Sequence, residues 1–266
     1  MKVIGTVFFL LMSWSGCLVV AEPLPANLKN VGIQERIGAQ VPGDAFFYNQ
    51  FGKKIVLRDL FKSKKPVVLN LVYFGCPMLC NLVVSGFVDG IEKMPLQLGK
   101  KFDVMTISID PTDTPSRAKS YAQKYIPKLH HHQNPSNHWQ FLVGDVANIR
   151  KVTQAVGFKA AYLPDKKEYA HAAGLFFLTP KGRLARVLYG VEFKPFDLKM
   201  ALIEAANSEM VTSVDTLLLF CYAYNDHSRG YSLMAERMMR VGACGMVFLL
   251  AGSVFFMFKK NSMVGN

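Results

Sequence analysis

The sequence predicts an α/β fold in which helices cover both faces of a central sheet. Residues 67–74 form an almost continuous apolar run rich in β-branched and aromatic residues, the pattern of a strand buried on both faces. A second buried strand is predicted at 101–110, and a helix follows each strand. A hairpin and a closing helix complete the pattern. Alternating strands and helices are typical of a mostly parallel sheet with helices on its faces.

Two cysteines lie where the first strand gives way to its helix. Gly75 ends the apolar run, and Pro77 suits a first helical turn, where its missing N–H would have no partner in any case. Cys76 is predicted on the turn and Cys80 on the first helical turns, four residues apart on one face. Dipoles at a helix N-terminus favour thiolates, which bind soft metals or exchange with disulfides. An inert disulfide or two buried thiols are the alternatives.

The elements around this strand follow from turn and spacing signals. Turn residues at Asn49–Gly52 predict a hairpin between 46–48 and 54–57. A short helical turn is predicted at Asp59–Phe61. Apolar side chains at near-helical spacing predict that the helix of Pro77 and Cys80 continues over 81–93.

The later elements are marked by capping residues. Thr114 and Pro115 predict a helix start with a hydroxyl cap, and this helix continues to about Tyr125. Asp145 is predicted to cap a helix that ends near Val156. Further elements are a strand at 139–143, a hairpin of strands at 171–179 and 184–189, and a closing helix at 195–207.

Histidines cluster in and directly after the predicted loop 126–137. His130, His131 and His132 are consecutive, and His138 follows. Four imidazoles this close could bind a metal ion, but a run of histidines on a loop is more often incidental. His171 stands alone at the start of a predicted strand, where a histidine is usually part of the polar surface.

Composition limits the classes of protein. The chain has 266 residues, a formal net charge of +12 and five cysteines. It accommodates one sizeable domain with appendages, and the cysteines do not form the framework of a disulfide-stapled miniprotein. The basic residues are spread along the sequence and no nucleic-acid motif is present, so we predict a solvated basic surface and no nucleic-acid partner.

The N-terminal segment 1–21 has the features of a secretory signal peptide. A lysine is followed by an apolar core and by small residues before a predicted cleavage site after Ala21. A lipoprotein with Cys17 as its first mature residue is the alternative. Residues 22–42 are predicted as a linker. Secretion implies an oxidising compartment, where a thiol reductant must keep paired cysteines reduced if they are to bind metal.

The C-terminal segment 241–258 is uncharged and apolar. At about 1.5 Å per residue it is just long enough for a transmembrane helix, and two lysines follow in a predicted cytoplasmic tail, 259–266. A buried helix of a soluble domain is the alternative. Cys244 lies in this span and has no assigned chemistry.

A juxtamembrane segment is predicted between the domain and the span, at 208–240. Cys221 and His227 in this segment are a candidate second metal or redox site. A packed or interfacial segment, with tyrosines at the level of the headgroups, is the favoured interpretation.

Three short motifs occur in the order of the predicted elements. Residues 73–80 contain Cys-Pro-x-x-Cys, residues 108–115 contain Asp-Pro and Asp-Thr-Pro, and His171 precedes an apolar strand and Thr179–Arg183. Together they resemble the motifs of the Sco/SenC family, and the resemblance covers about 43–207. It implies a thioredoxin-like domain there. Many members have a proline after the second cysteine, where this chain has Asn81.

The resemblance implies a function in copper handling. Family members are copper chaperones that help to build the binuclear copper centre of cytochrome c oxidase, and Cys76, Cys80 and His171 would be the copper ligands. Two thiolates and an imidazole suit Cu(I), and Cu(II) could also bind, whereas zinc normally takes a fourth ligand in a structural site. The implied partner is the oxidase subunit that carries the binuclear site. The implied location is the periplasmic side of a bacterial cytoplasmic (inner) membrane.

The alternative function is that of an enzyme. A membrane-anchored thiol–disulfide oxidoreductase would use Cys76 and Cys80 to reduce the copper-ligand cysteines of the oxidase. A disulfide between the two would also block metal binding, so redox state would gate metal loading. The three-residue gap and His171 favour binding, because thioredoxin-type reductases have a two-residue gap. Peroxide reduction is less favoured, because no separate resolving cysteine is evident.

Overall fold

The computed structural model describes residues 31–206, the backbone of 222–225 and 230–233, and Met246. The predicted signal peptide 1–21 and tail 259–266 lie outside the described residues, as does the predicted span 241–258 apart from Met246. So do Cys17, Cys221, His227 and Cys244. Among the described helices, none combines the length and the apolar character that crossing a membrane requires.

The described strands form one large sheet and three two-stranded pairs. In chain order they are β1 (Gly32–Ile33), β2 (Phe46–Asn49), β3 (Lys54–Val56), β4 (Val67–Val72), β5 (Asp103–Ser108), β6 (Trp139–Val143), β7 (Phe158–Lys159), β8 (Ala161–Leu163), β9 (Glu168–Ala170), β10 (Gly174–Leu178), β11 (Leu184–Tyr189), β12 (Tyr222–Asn225) and β13 (Gly230–Leu233). The helices are α1 (Leu57–Leu60), α2 (Leu79–Glu92), α3 (Pro115–Tyr125), α4 (Pro135–His138), α5 (Val146–Ala155) and α6 (Pro195–Ala205), with 3-10 turns at Phe61–Ser63 and Ile126–Lys128.

The large sheet has seven strands in the order β11-β10-β4-β5-β6-β2-β3. Strands β4, β5 and β6 run parallel, while β10 is antiparallel to β4 and β2 is antiparallel to β6. All six residues of β4 are buried, as its apolar run predicts. The predicted α/β class is therefore confirmed for the described domain.

Helix α2, which carries Cys80, is held tightly against the sheet and its neighbours. Phe87 of α2 meets Trp139 of β6 edge to face, with 5.5 Å between the ring centroids. On another side, Gly86 lets the helix approach the chain after β11, because a Cβ at Gly86 would lie 1.9 Å from the carbonyl oxygen of Val191. These contacts fix the helix.

The predicted helix caps at α3 and α5 are confirmed. The Thr114 hydroxyl accepts a hydrogen bond from the N–H of Arg117 at 3.3 Å, and Pro115 occupies the first helical position. The Asp145 carboxylate accepts the N–H of Asn148 at 2.7 Å. Each cap satisfies a backbone donor that the helix itself leaves without a partner.

Helix α2 begins later than the sequence predicts. Its first residue is Leu79 and its N-cap is Met78, so Pro77 lies before the helix. The N–H of Cys76 donates to the carbonyl of Tyr73 at 3.1 Å in a turn. The two cysteines therefore meet between a turn and a helix end, and not on one helical face.

The linker prediction for 22–42 does not hold over its second half. Strand β1 pairs with β7, and Val41 is fully buried with its N–H donating to the carbonyl of Gly182 at 2.9 Å. The polar composition of this segment gave no sign of packing, because backbone hydrogen bonds carry much of the contact.

The hairpin β8–β9 is absent from the sequence prediction. Its tight connection places Lys167 in the left-handed region, with φ of 52°. The predicted strand at 171–179 is correspondingly shorter, since β10 begins at Gly174. His171 consequently lies in the connection between β9 and β10.

Candidate metal centre

Three predicted ligands lie together at one edge of the large sheet. The Sγ atoms of Cys76 and Cys80 and a ring nitrogen of His171 all lie within 4.8 Å of one another. The Cys80 Sγ is 3.1 Å from the His171 Nε2. Within the described part of the chain, no other trio of His, Cys, Asp or Glu side chains meets this spacing.

Strand pairing brings these distant residues together. Because β10 is antiparallel to β4, the end of β4 and the start of β10 lie at the same edge of the sheet. Cys76 follows β4 in a turn, Cys80 is the second residue of α2, and His171 precedes β10. Each predicted ligand thus comes from a different local structure.

The tautomer of His171 suits metal binding. Its Nδ1 lies 2.9 Å from the backbone carbonyl of Ala172, and because a carbonyl only accepts, Nδ1–H is the donor. In the neutral ring, the lone pair is then on Nε2, the atom that faces the cysteines. A second hydrogen bond that fixes the ring in this way is the usual arrangement for a metal-binding histidine.

The surroundings of Cys76 favour its thiolate. Hydrogen bonds from the Cys80 side chain, from the imidazolium form of His171 and from the backbone of Cys80 and Met78 lower the pKa of Cys76 to about 3, although burial acts in the opposite direction. The Cys80 N–H lies 3.3 Å from the Cys76 Sγ. The same side-chain hydrogen bond and burial raise the pKa of the Cys80 thiol. The pair therefore consists of one thiolate and one thiol.

The site lies at a cavity of about 460 Å³. Cys76 and His171 line this cavity and are 7% and 9% exposed, whereas Cys80 is completely buried. The ring of Tyr73 meets His171 edge to face at 6.0 Å between centroids. Burial and the nearby Cys76 raise the pKa of the Tyr73 hydroxyl, so it stays protonated beside the site.

Asp113, from the second motif, is hydrogen-bonded to the loop that carries Cys76. Its buried carboxylate accepts the N–H of Phe74 at 2.8 Å and the hydroxyl of Ser108 at 2.5 Å. The guanidinium of Arg117 pairs with its other oxygen at 2.8 Å. The motif therefore has a structural role, since it connects the end of β5 to the Cys76 turn.

The clustered histidines of 130–138 make other contacts. His132 is buried, and its Nδ1 accepts the N–H of Leu98 at 3.0 Å. The backbone N–H groups of His130 and His131 both donate to the Glu92 carboxylate at 3.1 Å. These contacts fasten the loop to the C-terminal end of α2.

Sequence reasoning missed the aromatic wall of the cavity. Tyr73 packs against Tyr169 of β9 at 5.4 Å between centroids, and both line the cavity together with Met78. A signal was present, because Pro164 to Lys167 is a turn sequence between two segments that contain tyrosine.

The arrangement offers two kinds of chemistry. Two sulfur atoms and one imidazole nitrogen form a soft donor set for a metal ion, and three ligands leave coordination positions open. Cys76 and Cys80 are free thiols, so the pair can also form a disulfide.

The chain was compared with protein families and with solved structures, and both comparisons found matches. A sequence model described as SCO1/SenC matches residues 36–205. No protein with a curated description matches significantly. Two crystal structures of proteins from Aquifex aeolicus VF5 share the fold. One is 24% identical, with a TM-score of 0.57, over 66% of this chain and 97% of that chain. The other is 23% identical, with a TM-score of 0.53, over 65% and 100%.

A copper-bound structure of ScoI from Bradyrhizobium japonicum is 25% identical over 64% of this chain and 99% of its own length, with a TM-score of 0.46. The SCO1/SenC match covers more than half of the present chain and includes all three clustered side chains. The chain therefore belongs to the SCO1/SenC family, and its described domain has the thioredoxin-like fold.

Proposed function

We propose that this chain binds copper through Cys76, Cys80 and His171 and delivers it to the binuclear copper centre of cytochrome c oxidase during assembly. One observation carries the proposal: two sulfur atoms and an imidazole nitrogen meet within 4.8 Å beside a cavity that opens to solvent. Membership of the SCO1/SenC family supports copper as the cargo and the oxidase as its destination.

The donor set favours Cu(I), with Cu(II) as the alternative. Thiolates are soft ligands, and imidazole binds copper in either oxidation state. Cys76 supplies a thiolate already at neutral pH, since its pKa is lowered to about 3. Cys80 has a raised pKa and gives up its proton on binding, so loading releases a proton. His171 contributes Nε2.

Open coordination positions explain how copper could leave such a buried site. A partner's own ligands can occupy those positions through the cavity and replace the three protein ligands one at a time. The partner we propose is the oxidase subunit that carries the binuclear site. A thiol reductant is also required, because a Cys76–Cys80 disulfide has no free thiolate to offer.

The test is copper analysis of the reduced full chain by metal quantification and X-ray absorption. We expect one copper with two sulfur neighbours and one nitrogen neighbour. In His171→Ala, the nitrogen neighbour should be lost and affinity should fall by at least about tenfold, since a ligand is removed. Failure to bind copper at micromolar concentrations, with a readily cycled disulfide, would contradict the proposal.

A thiol–disulfide oxidoreductase is the second candidate, favoured by the thiolate of Cys76 beside the thiol of Cys80. In this function, the pair would reduce the copper-ligand cysteines of the oxidase and become a disulfide. The His171→Ala variant separates the two candidates, because a reductase should keep its rate of disulfide reduction while a copper carrier should lose affinity.

We also propose that the domain is anchored on the periplasmic side of the cytoplasmic membrane. The supporting patterns are those of a signal peptide at 1–21, a span at 241–258 and a lysine-led tail at 259–266. Protease added to intact spheroplasts should then digest the domain and spare a tag placed after Asn266. Cys221 and His227 remain a predicted second site.

A further inference from the structure

We infer that Asn81 is a positioning residue that holds Cys76 in its ligand geometry and connects that geometry to helix α3. The inference rests on the proposed copper site and adds a determinant of its affinity and redox state. Asn81 directly follows Cys80 in α2 and is half-buried. It stands where many family members have a proline.

Both ends of the Asn81 side chain are engaged. Its Nδ2 donates to the backbone carbonyl of Cys76 at 2.9 Å. Its Oδ1 accepts the hydroxyl of Tyr125 at 2.7 Å and the ammonium of Lys124 at 3.0 Å. Two donors on the oxygen fix the orientation of the amide, so the nitrogen must face Cys76. The charge of Lys124 polarises the amide and strengthens its donation to the carbonyl.

Of the two cysteines, Cys76 is the one whose position depends on hydrogen bonds in a turn. Cys80 is fully buried in a helix that packing fixes in place. Cys76 lies in a turn, where its N–H is bonded to the carbonyl of Tyr73. Asn81 donates a hydrogen bond to the carbonyl of the same residue. Without this bond the turn can adopt other conformations. Metal binding must then order the turn, and the free-energy cost of that ordering lowers the affinity.

The same bond should influence the redox state of the pair. When the disulfide forms, the Cys76 thiolate and the Cys80 thiol give two electrons and one proton to an oxidant such as oxidised glutathione. The glutathione S–S bond breaks and, with one further proton from solvent, two glutathione thiols result. Formation of the S–S bond, like copper binding, requires an ordered Cys76 turn, and Asn81 orders that turn in advance. Removal of the amide should therefore weaken copper binding and also disfavour the disulfide.

The direct test uses Asn81→Ala and Asn81→Asp in the full chain. Asp keeps oxygen atoms for Lys124 and Tyr125 but cannot donate to the Cys76 carbonyl. We expect the Cu(I) affinity of both reduced variants, measured by competition with bicinchoninate, to fall about tenfold, as the loss of one strong hydrogen bond suggests. In copper-free glutathione buffers, the dithiol–disulfide equilibrium should move about tenfold away from the disulfide, which is about 30 mV.

Two lysines near Tyr125, one in helix α3 and one in the 3-10 turn that follows it, provide a matched pair of variants. The ammonium groups of Lys124 and Lys128 lie 5.4 Å and 5.6 Å from the centroid of the Tyr125 ring, and both residues are exposed. Of these two lysines, Lys124 is the one that donates to the Asn81 side chain. Lys124→Met should change both readouts about threefold in the same direction as Asn81→Ala, and Tyr125→Phe should do the same. Lys128→Met should match the wild type.

The outcomes separate this inference from the proposed function. A wild-type chain that binds no copper contradicts the proposed function, while the glutathione equilibrium still tests Asn81. Wild-type binding with Asn81→Ala within twofold in both readouts overturns the inference, even if thermal stability falls. Equal behaviour of Lys124→Met and Lys128→Met overturns the connection to α3. If Asn81→Ala does not fold, the lysine pair and Tyr125→Phe decide the question.

Discussion

At the scale of single residues, the site makes two identical side chains chemically different. Cys76 receives hydrogen bonds from the Cys80 side chain and from backbone N–H groups, whereas Cys80 is deeply buried and retains its proton. The direction of these hydrogen bonds decides which sulfur is the thiolate. Cys76 is therefore the residue that we expect to react first with a metal ion or a disulfide.

This asymmetry predicts the pH dependence of alkylation by iodoacetamide. Because the pKa of Cys76 is lowered to about 3, its thiolate persists from pH 8 down to pH 4. Its labelling rate should change less than about threefold over that range, whereas the thiolate of an ordinary cysteine with a pKa of about 8.5 falls about ten thousandfold. Cys80 should stay unlabelled at both pH values, since its pKa is raised. Peptide mass spectrometry of the reduced full chain measures both rates.

The control for this measurement is the same chain in denaturant. There both cysteines lose their partners and should follow the ordinary profile. If the labelling rate of Cys76 in the folded chain falls about tenfold for each pH unit below 8, the proposed thiolate is wrong.

At the scale of elements, the position of Cys80 depends on how closely α2 approaches its neighbours. Gly86 is the contact point, where a Cβ would lie 1.9 Å from the Val191 carbonyl oxygen. Backbone cannot yield as a flexible side chain does. The site therefore depends on a glycine that is ten residues from Cys76 and is not one of the proposed ligands.

Gly86→Ala should destabilise the domain even though alanine is the better helix former. The propensity gain is about 1 kcal/mol, but overpacking against fixed backbone costs more, and we expect a net loss of about 2 kcal/mol in the free energy of unfolding. Urea unfolding followed by circular dichroism measures it. Asp89→Ala, at an exposed position of the same helix, should change stability by less than about 0.5 kcal/mol. Equal changes in the free energy of unfolding of the two variants would show that the backbone near Val191 moves away without a loss of stability.

The elements also show which parts of the structure the sequence could predict. Strand β4 and the caps Thr114 and Asp145 were predictable because their signals are local: a continuous apolar run and a side chain beside the helix it caps. The packing of 31–42 was not, because its main contacts are backbone hydrogen bonds to segments far along the chain. The start of α2 was misplaced because proline fits both a helix start and the turn before it.

The candidate site also has features that the sequence could predict and features that it could not. The motifs brought Cys76, Cys80 and His171 together through resemblance, since no local signal links residues so far apart in sequence. Spacing alone placed the two cysteines on one helical face, and the structure instead joins a turn to a helix end. The role of Asn81 could not be read from the sequence, because its partners Lys124 and Tyr125 become neighbours only when α2 and α3 pack.

At the scale of the whole molecule, the site exists only when the domain is folded. Its proposed ligands come from a turn after β4, from α2 and from the segment before β10, and the pairing of β4 with β10 brings these parts together. Unfolding separates His171 from the cysteines. A metal ion that uses all three ligands must therefore favour the folded chain.

Copper should consequently raise the melting temperature of the reduced full chain. With free Cu(I) buffered at about a thousand times the dissociation constant, linkage predicts about 4 kcal/mol of added stability, or an increase of about 10 °C for a domain of this size. Cysteines of the unfolded chain also bind Cu(I), which reduces the increase. His171→Ala keeps the two cysteines and loses only the ligand that folding must supply, so its increase should be markedly smaller. Calorimetry of both chains, with and without Cu(I), decides the point: equal increases would mean that copper is held by the cysteines alone and that strand pairing does not build the site.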